Sequence, residues 1–337
     1  MAFTSDDGCR LYIDGKKIID SWHNRSVETD SISLSLEKGK KYKLVAEYFD
    51  GGGSASAKLY WRVPDTDQRA VIDLYGEAGN IMRKCDLTVA VLGINQSIER
   101  EGQDRSSIEL PKEQQAFIEE AYKINPNTVV VLVAGSSLAI NWMDEHIPAI
   151  VNAWYPGEAG GTAITEVLFG DYNPGGRLPL TYYNSLDELP AFNDYDIRKG
   201  RTYQFFEGKP LYAFGYGLSY TTFSYKKLNI DSSGDTVKVS FTLKNTGKYE
   251  GDEVAQLYVK YQGTDSSVKM PLKQLKGFER VHLKKGESRQ VILTVPKSEL
   301  RFWDEAKGEF FTPSGDYLFM VGSASDAIQL QQILKNL

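Results

Sequence analysis

The feature that most constrains the fold of this chain is an alternation of short apolar runs and helix-like segments between residues 65 and 223. Three of the runs have the length of strands: 86–93, 128–134 and 149–154. Continuous apolar runs of this length are typical of strands buried on both faces of a parallel sheet. Helical spacing follows each run, most clearly at 112–124 after Pro111. The pattern predicts a right-handed β-α-β-α-β-α unit around a parallel sheet.

The residues on either side of this region alternate with a period of two. In residues 1–64, Arg10–Ile13 and Lys17–Ile19 flank the turn Asp14-Gly15, which indicates a hairpin, and Ser31–Leu36 reads as a further strand. In residues 224–337, several alternating runs separated by Gly, Asn, Asp and Ser turns predict a β-sandwich.

We therefore expect a multidomain α/β plus all-β protein. Its parts are a partial antiparallel β-domain at 1–64, a parallel-sheet α/β domain at 65–223 and a C-terminal β-sandwich at 224–337. The first strand starts almost at Met1, which suggests that the first domain is incomplete.

Composition argues against several classes of partner and cofactor. The chain has 39 basic and 45 acidic residues and a net charge of −6, which does not favour nucleic acid or an anionic membrane surface. Its apolar runs are too short to span a bilayer. His23, His146 and His282 lie in separate regions and Cys9 and Cys85 form no paired motif, so no metal site is expected. No phosphate loop or dinucleotide fingerprint is present, so we expect no cofactor and disfavour a nucleotide-binding protein.

The richest set of chemical groups lies in the loop after the first predicted strand. Glu99, Glu101, Asp104 and Arg105 fall within seven residues there. Because ligands of open parallel sheets bind beyond the carboxyl ends of the strands, this loop lies where a site is expected. Paired carboxylates are what acid/base and glycosyl-transfer chemistry need. A solvated cluster of surface acids is the alternative interpretation.

Five motifs in this region resemble glycoside hydrolase family 3, in the order found in its second catalytic domain. They occupy residues 93–111, 154–161, 170–179, 200–203 and 214–220. The flanks agree: residues 1–64 resemble the end of a protective-antigen-type β-domain, and residues 224–337 resemble the fibronectin type III-like domain of these enzymes.

This resemblance implies a retaining, exo-acting β-glycosidase, a β-glucosidase or β-xylosidase, acting on terminal β-D-glycosides of plant-type oligosaccharides. Matched on the spacing to Asp104-Arg105, the acid/base falls at Glu101, with Glu99 as the second candidate. Asp104 and Arg105 are expected to hold the loop as an ion pair, with contact to the sugar as the other role considered. The family's substrates suggest a secreted or periplasmic protein.

The chain departs from the family in one respect. The family's nucleophile is an aspartate on an N-terminal (β/α)8 barrel, and no such barrel, nor the first part of the α/β domain, precedes residue 65. We therefore expect a fragment with half of an active site, which by itself is inactive or weakly active. A non-catalytic carbohydrate-binding or structural module is the alternative.

Overall fold

The computed structural model describes residues 1–37, 39–53, 55–61, 76–263 and 269–337. These residues divide into two compact units, Met1–Ile81 and Met82–Leu337. The predicted domain boundary between residues 64 and 65 lies outside the described residues. No helix within the described ranges is long and apolar enough to cross a membrane.

The first unit contains two three-stranded antiparallel sheets, with strand orders β4-β1-β6 and β3-β2-β5. The strands are β1 (Ala2–Ser5), β2 (Cys9–Ile13), β3 (Lys16–Ser21), β4 (Glu28–Ser31), β5 (Leu44–Tyr48) and β6 (Ala57–Tyr60). The predicted hairpin is confirmed, since β2 pairs with β3 across Asp14 and Gly15, whose φ angles of 47° and 79° suit a tight hairpin turn.

The predicted strand Ser31–Leu36 is wrong apart from its first residue. Strand β4 ends at Ser31, which lies opposite Ala2 in β1. Two further bonds join Met1 and Ile32, since the Ile32 amide donates to the Met1 carbonyl and the Met1 ammonium donates to the Ile32 carbonyl. Among the described residues no strand pairs with 33–36, so the alternating pattern there has no sheet to join. Pairing, rather than alternation, decides where this strand stops.

The second unit holds a parallel sheet in the order β7-β8-β9. Its strands are β7 (Thr88–Gly93), β8 (Thr128–Val133) and β9 (Ala149–Asn152). Residues 76–82 are helical (α1). The helices and helical turns of the second unit are α2 (Lys112–Ile124), α3 (Asn141–His146), α4 (Gly160–Phe169), η1 (Leu186–Glu188), η2 (Ile197–Lys199) and α5 (Thr202–Phe205). The predicted alternation of strands and helices is confirmed, with strand ends that differ by up to two residues.

The β-sandwich of the second unit packs the sheet β10-β11-β14 against the sheet β13-β12-β17-β18. Its elements are β10 (Phe223–Asp231), β11 (Thr236–Asn245), β12 (Gly251–Tyr261), β13 (Gln274–Leu283), β14 (Ser288–Pro296), η3 (Lys297–Leu300), the hairpin β15 (Phe302–Asp304) and β16 (Glu309–Phe311), β17 (Tyr317–Gly322) and β18 (Ile328–Leu334). The inward residues Phe241, Leu257 and Phe319 are buried between the sheets. The fold class predicted from the sequence is confirmed.

A buried ion pair ties the segment after α4 to this sandwich. Arg177 Nη2 lies 2.7 Å from Glu253 Oε1, and the two side chains are only 8% and 6% exposed. Arg177 precedes β10 in the chain, whereas Glu253 lies on β12, so the contact holds the irregular 170–222 segment against the sandwich. This segment connects the parallel sheet to the sandwich.

Candidate active site

Three loops leave the parallel sheet at one edge. Because β7, β8 and β9 run in the same direction, their carboxyl ends lie together, and the chain continues into loops 94–111, 134–140 and 153–159. Open parallel sheets bind their ligands at such an edge. This edge is therefore the candidate site.

The first loop starts at a glycine that the neighbouring strand requires. Gly93 has a φ of +145°, and a Cβ atom there would lie 1.9 Å from the carbonyl oxygen of Val133. The side-chain amide of Gln114, on α2, accepts a bond from the Gly93 amide at 2.8 Å and donates one to its carbonyl at 2.7 Å. The loop therefore leaves the sheet from a fixed point, since only glycine fits this approach.

The three loops meet at the carboxylate of Glu99, which lies in the first of them. Ser136 of the second loop donates a hydrogen bond to Glu99 Oε2. The Tyr155 hydroxyl of the third loop lies 3.3 Å from Glu99 Oε1 and 3.3 Å from the Ile94 carbonyl, so its proton can go to either acceptor. The carboxylate of Glu99 thus joins all three loops.

Arg105 closes the first loop on the same carboxylate. Its Nε lies 3.0 Å from Glu99 Oε2, and its Nη2 donates to the Ser136 hydroxyl at 2.7 Å and to the Ser137 carbonyl at 2.9 Å. The two charged side chains are 11% and 18% exposed. The third nitrogen, Nη1, is buried and has no hydrogen-bond partner among the described residues. Arg105 therefore holds the loop and keeps one donor available.

Glu101 lies at the tip of a tight turn between Glu99 and Arg105. The turn is closed by two backbone bonds between Arg100 and Gln103, of 3.2 and 3.0 Å. Gly102 takes the left-handed φ of +75° that such a turn favours at its third residue. Glu101 is exposed, and its carboxylate makes no hydrogen bond or ion pair with any described residue. The turn presents this carboxyl to solvent.

Two small features of the other loops bring Tyr155 to Glu99. A Cβ atom on Gly135 would lie 2.4 Å from the Tyr155 ring and 3.1 Å from Glu99 Oε1, so the absence of a side chain there makes room for both groups. Trp154, just before the tyrosine, has a φ of 54°, which is strained for a non-glycine residue. The position of Tyr155 is therefore set by its backbone as well as by its hydroxyl.

The structure brings together only some of the residues singled out from the sequence. Glu99 and Arg105 form an ion pair and Glu101 lies between them in the same loop. The sequence placed Arg105 in an ion pair with Asp104; in the structure its partner is Glu99 instead, and Asp104 is exposed with no ion pair to a described residue. The reason is geometric, because the loop turns Arg105 inward toward Glu99 and leaves Asp104 outside.

The sequence analysis did not identify Ser136 or Tyr155 as site residues, although Tyr155 lies within the motif at 154–161. Each is among the first polar side chains after a buried strand, Ser136 after β8 and Tyr155 after β9. That position, shared with the first loop, is the signal that could have identified them.

Two models of known families match the chain. Residues 31–220 match the "Glycosyl hydrolase family 3 C-terminal domain", and residues 253–325 match the "Fibronectin type III-like domain". The first match alone covers more than half of the chain.

Two relatives are similar over nearly the whole chain. A xylan 1,4-beta-xylosidase of Xylanibacter ruminicola is 36% identical over 329 residues, which cover 94% of this chain and 37% of that relative. A beta-glucosidase of Kluyveromyces marxianus is 34% identical, covering 94% of this chain and 40% of that relative. The chain thus spans about two fifths of the length of these relatives.

Solved structures show the same similarity. The beta-glucosidase of Kluyveromyces marxianus in complex with glucose has a TM-score of 0.83 and 32% identity, covering all of this chain and 42% of that one. DesR, a beta-glucosidase from Streptomyces venezuelae, has a TM-score of 0.75 and 28% identity, covering all of this chain and 44% of that one. With its sequence motifs, domain matches and fold in agreement, the chain belongs to glycoside hydrolase family 3.

Proposed function

We propose that this chain supplies the acid/base part of a retaining, exo-acting β-glycosidase site. Glu101 is the acid/base, and the nucleophile lies on a (β/α)8 barrel outside these 337 residues. The substrates are terminal β-D-glucosides or β-D-xylosides of plant-type oligosaccharides. The relatives named as a xylosidase and a glucosidase support this substrate class, and the chain's coverage of about two fifths of each supports a partner domain.

One observation carries the choice of Glu101. Its carboxyl, at the exposed tip of a tight turn, has no partner among the residues that the structure describes, while the neighbouring Glu99 is already bound by Arg105 and Ser136. A general acid must reach the glycosidic oxygen and give up its proton there. The exposed carboxyl is available for this step, and the bound one fixes the loop.

In the proposed mechanism the Glu101 carboxyl donates its proton to the leaving oxygen as the nucleophile attacks the anomeric carbon. The Glu101 carboxylate then takes a proton from the water that hydrolyses the glycosyl–enzyme intermediate. Retaining enzymes hold the two carboxyl groups only about 5 Å apart.

The first test uses the isolated chain. We expect it to release little or no nitrophenol from nitrophenyl β-glucoside or β-xyloside, because it carries no nucleophile for the covalent step. Robust turnover that is lost in the Glu101→Gln variant would contradict the proposal of a divided site.

The second test is a chimera that joins this chain to the barrel of a relative. This chain replaces the matching segment of the Kluyveromyces marxianus beta-glucosidase, with which it aligns over 94% of its length. In that chimera, Glu101→Gln should lower kcat/KM for cellobiose roughly 100-fold or more, since general acid catalysis contributes on that scale. The effect should be much smaller for a dinitrophenyl glucoside, whose leaving group needs no protonation, and azide should restore part of the turnover.

Glu99→Gln in the same chimera is the matched control. Removing a positioning carboxylate should lower the turnover of cellobiose and of the dinitrophenyl glucoside by similar factors, without rescue by azide. If the dependence on the leaving group appears with Glu99→Gln and not with Glu101→Gln, Glu99 is the acid/base.

A further inference from the structure

A second concave surface of this chain lies outside the three strand-end loops. It is a groove of about 740 Å³ between the end of α4 and the β12–β13 region of the sandwich. We call it the α4–sandwich groove; its lining comes from residues 169–173, 220, 249–252 and 282. Its size lies within the roughly 300–1,000 Å³ of small-molecule sites. Nothing in the proposed catalytic role uses it.

Aromatic rings line the groove on both sides. Phe169, the last residue of α4, is 80% exposed, and Tyr249, just before β12, is 60% exposed. Exposing two large rings to water within one concavity costs free energy that a ligand covering them would recover. The two rings are therefore the apolar surfaces offered to a ligand.

Two further rings in the groove are held in place by hydrogen bonds. The Tyr220 hydroxyl donates to the Val167 carbonyl at 2.6 Å. The Tyr172 hydroxyl accepts a bond from Arg280 Nη2 at 2.7 Å. Because these rings are already fixed, a ligand that packs on them does not lose free energy by ordering them.

The polar part of the groove centres on Asp252, whose side chain is 18% exposed. Its carboxylate accepts bonds from Arg280 Nε at 2.6 Å and from His282 Nδ1 at 2.7 Å. Burial raises the pKa of the Asp252 carboxyl, but the hydrogen bonds from His282 and Arg280 together lower it by more. The pKa therefore lies below its ordinary value. The groove thus has an ionised acceptor held rigidly beside the aromatic rings.

Two exposed acids, Asp171 and Glu250, complete the lining. The carboxylates of the groove repel an anionic ligand. The Arg280 guanidinium beside Asp252 neutralises part of the negative charge that would attract a cationic ligand. Exposed aromatic faces beside carboxylate acceptors, of which Asp252 is held by Arg280 and His282, match a neutral ring that carries hydroxyl groups at its edge and C–H groups on its faces.

We propose that the α4–sandwich groove binds a neutral β-linked oligosaccharide, with sugar rings packed on Phe169 and Tyr249 and sugar hydroxyls donating to the groove carboxylates. Only the choice of a β-linked chain rests on the proposed function. The groove holds a glycan chain without cleaving it, at residues separate from the acid/base loop.

The test titrates the 337-residue chain with cellotetraose and with xylotetraose by calorimetry, and maps contacts by hydrogen exchange. We expect saturable binding and slower exchange at 169–173 and 249–252. Phe169→Ala and Tyr249→Ala should each weaken binding roughly tenfold, the usual cost of truncating an anchoring ring. Both side chains are largely exposed, so neither change should unfold the chain. Phe192→Ala is the matched control, since Phe192 is 74% exposed and lies outside the groove lining.

Several outcomes would overturn the proposal. These are no saturable binding of either oligosaccharide, binding that Phe192→Ala weakens as much as Tyr249→Ala does, or a preference for a polyamine such as spermidine. Glu101→Gln should leave the affinity of the groove unchanged. If Glu101→Gln abolishes binding and Tyr249→Ala does not, the sugar lies at the acid/base loop and the groove is not the site. If the groove binds no oligosaccharide, the chimera assays still test the role of Glu101. If the chimera assays contradict the role of Glu101, the titration still tests binding in the groove.

Discussion

Arg105 Nε lies 3.0 Å from Glu99 Oε2, and this ion pair joins the two ends of the turn that carries Glu101. The same carboxylate receives a bond from Ser136, which follows β8. These two partly buried contacts of Glu99 therefore link the geometry of the acid/base turn to the neighbouring strand of the sheet. Their strength can be measured without any assay of hydrolysis.

Replacing Glu99 by Gln keeps the shape of the side chain but removes its charge. The Arg105 guanidinium, 11% exposed, would lose its ionic partner. We expect the free energy of unfolding of the second unit to fall by about 1–3 kcal/mol. Urea denaturation followed by hydrogen exchange at residues 95–105 measures this. Glu101→Gln, in the same loop but exposed, should change stability by less than about 0.5 kcal/mol. Equal effects of the two substitutions would show that the ion pair does not hold the loop.

Adding a methyl group at Gly135 should disturb the site directly. The new Cβ would lie 2.4 Å from the Tyr155 ring and 3.1 Å from Glu99 Oε1. We expect Gly135→Ala to lower the free energy of unfolding by about 1–3 kcal/mol, the usual cost of overpacking. Gly161→Ala is the matched control: it lies in α4 with no atom within 4 Å of its Cβ position, and should be neutral or slightly stabilising. Thermal unfolding compares the two, and an equally stable Gly135→Ala variant would contradict the contact.

The buried pair of Arg177 and Glu253 should be costly to break from one side. Arg177→Met leaves the Glu253 carboxyl buried without its cation, and we expect a loss of about 3–5 kcal/mol. The double variant Arg177→Met/Glu253→Leu should recover most of this loss, because no buried charge remains. Chemical denaturation of the wild type, the single variant and the double variant measures both changes. Glu120→Gln, which removes an exposed pair with Lys123, is the control and should cost less than about 1 kcal/mol.

Stability should also depend on pH through Glu253. Burial raises the pKa of this carboxyl above its ordinary value of 4.5, and the opposing attraction of Arg177 does not cancel the effect. A raised pKa in the folded state contributes stability that is complete below the unfolded pKa and is lost as pH rises through the folded pKa.

The neutral variant Glu253→Gln lacks this titration. We therefore expect the wild type to lose stability relative to Glu253→Gln as the pH rises from 4 upward. Denaturation of both proteins at a series of pH values gives the difference. A wild type that instead gains relative stability over this range would mean that the ion pair lowers the pKa of Glu253.

The sequence was most informative where one local pattern decides the structure. The helix at 112–124 follows from apolar spacing after Pro111, and the structure gives it the same bounds, Lys112–Ile124. The hairpin around Asp14-Gly15 follows from turn chemistry. The strand predicted at Ser31–Leu36 had equally good alternation, but a strand needs a paired neighbour, which a pattern within one segment does not show.

For the candidate site, the sequence determined which loop carries the carboxylates, because parallel strands place their carboxyl ends at one edge. Only the tertiary structure decided how the two glutamates differ. Glu99 is bound by Ser136 and Tyr155, which are 37 and 56 residues away in the chain, whereas Glu101 stands at the tip of the turn. Glu99 and Glu101 are only two residues apart, so their positions along the chain do not distinguish their surroundings. Their different environments come from contacts between loops that meet only when the sheet has formed.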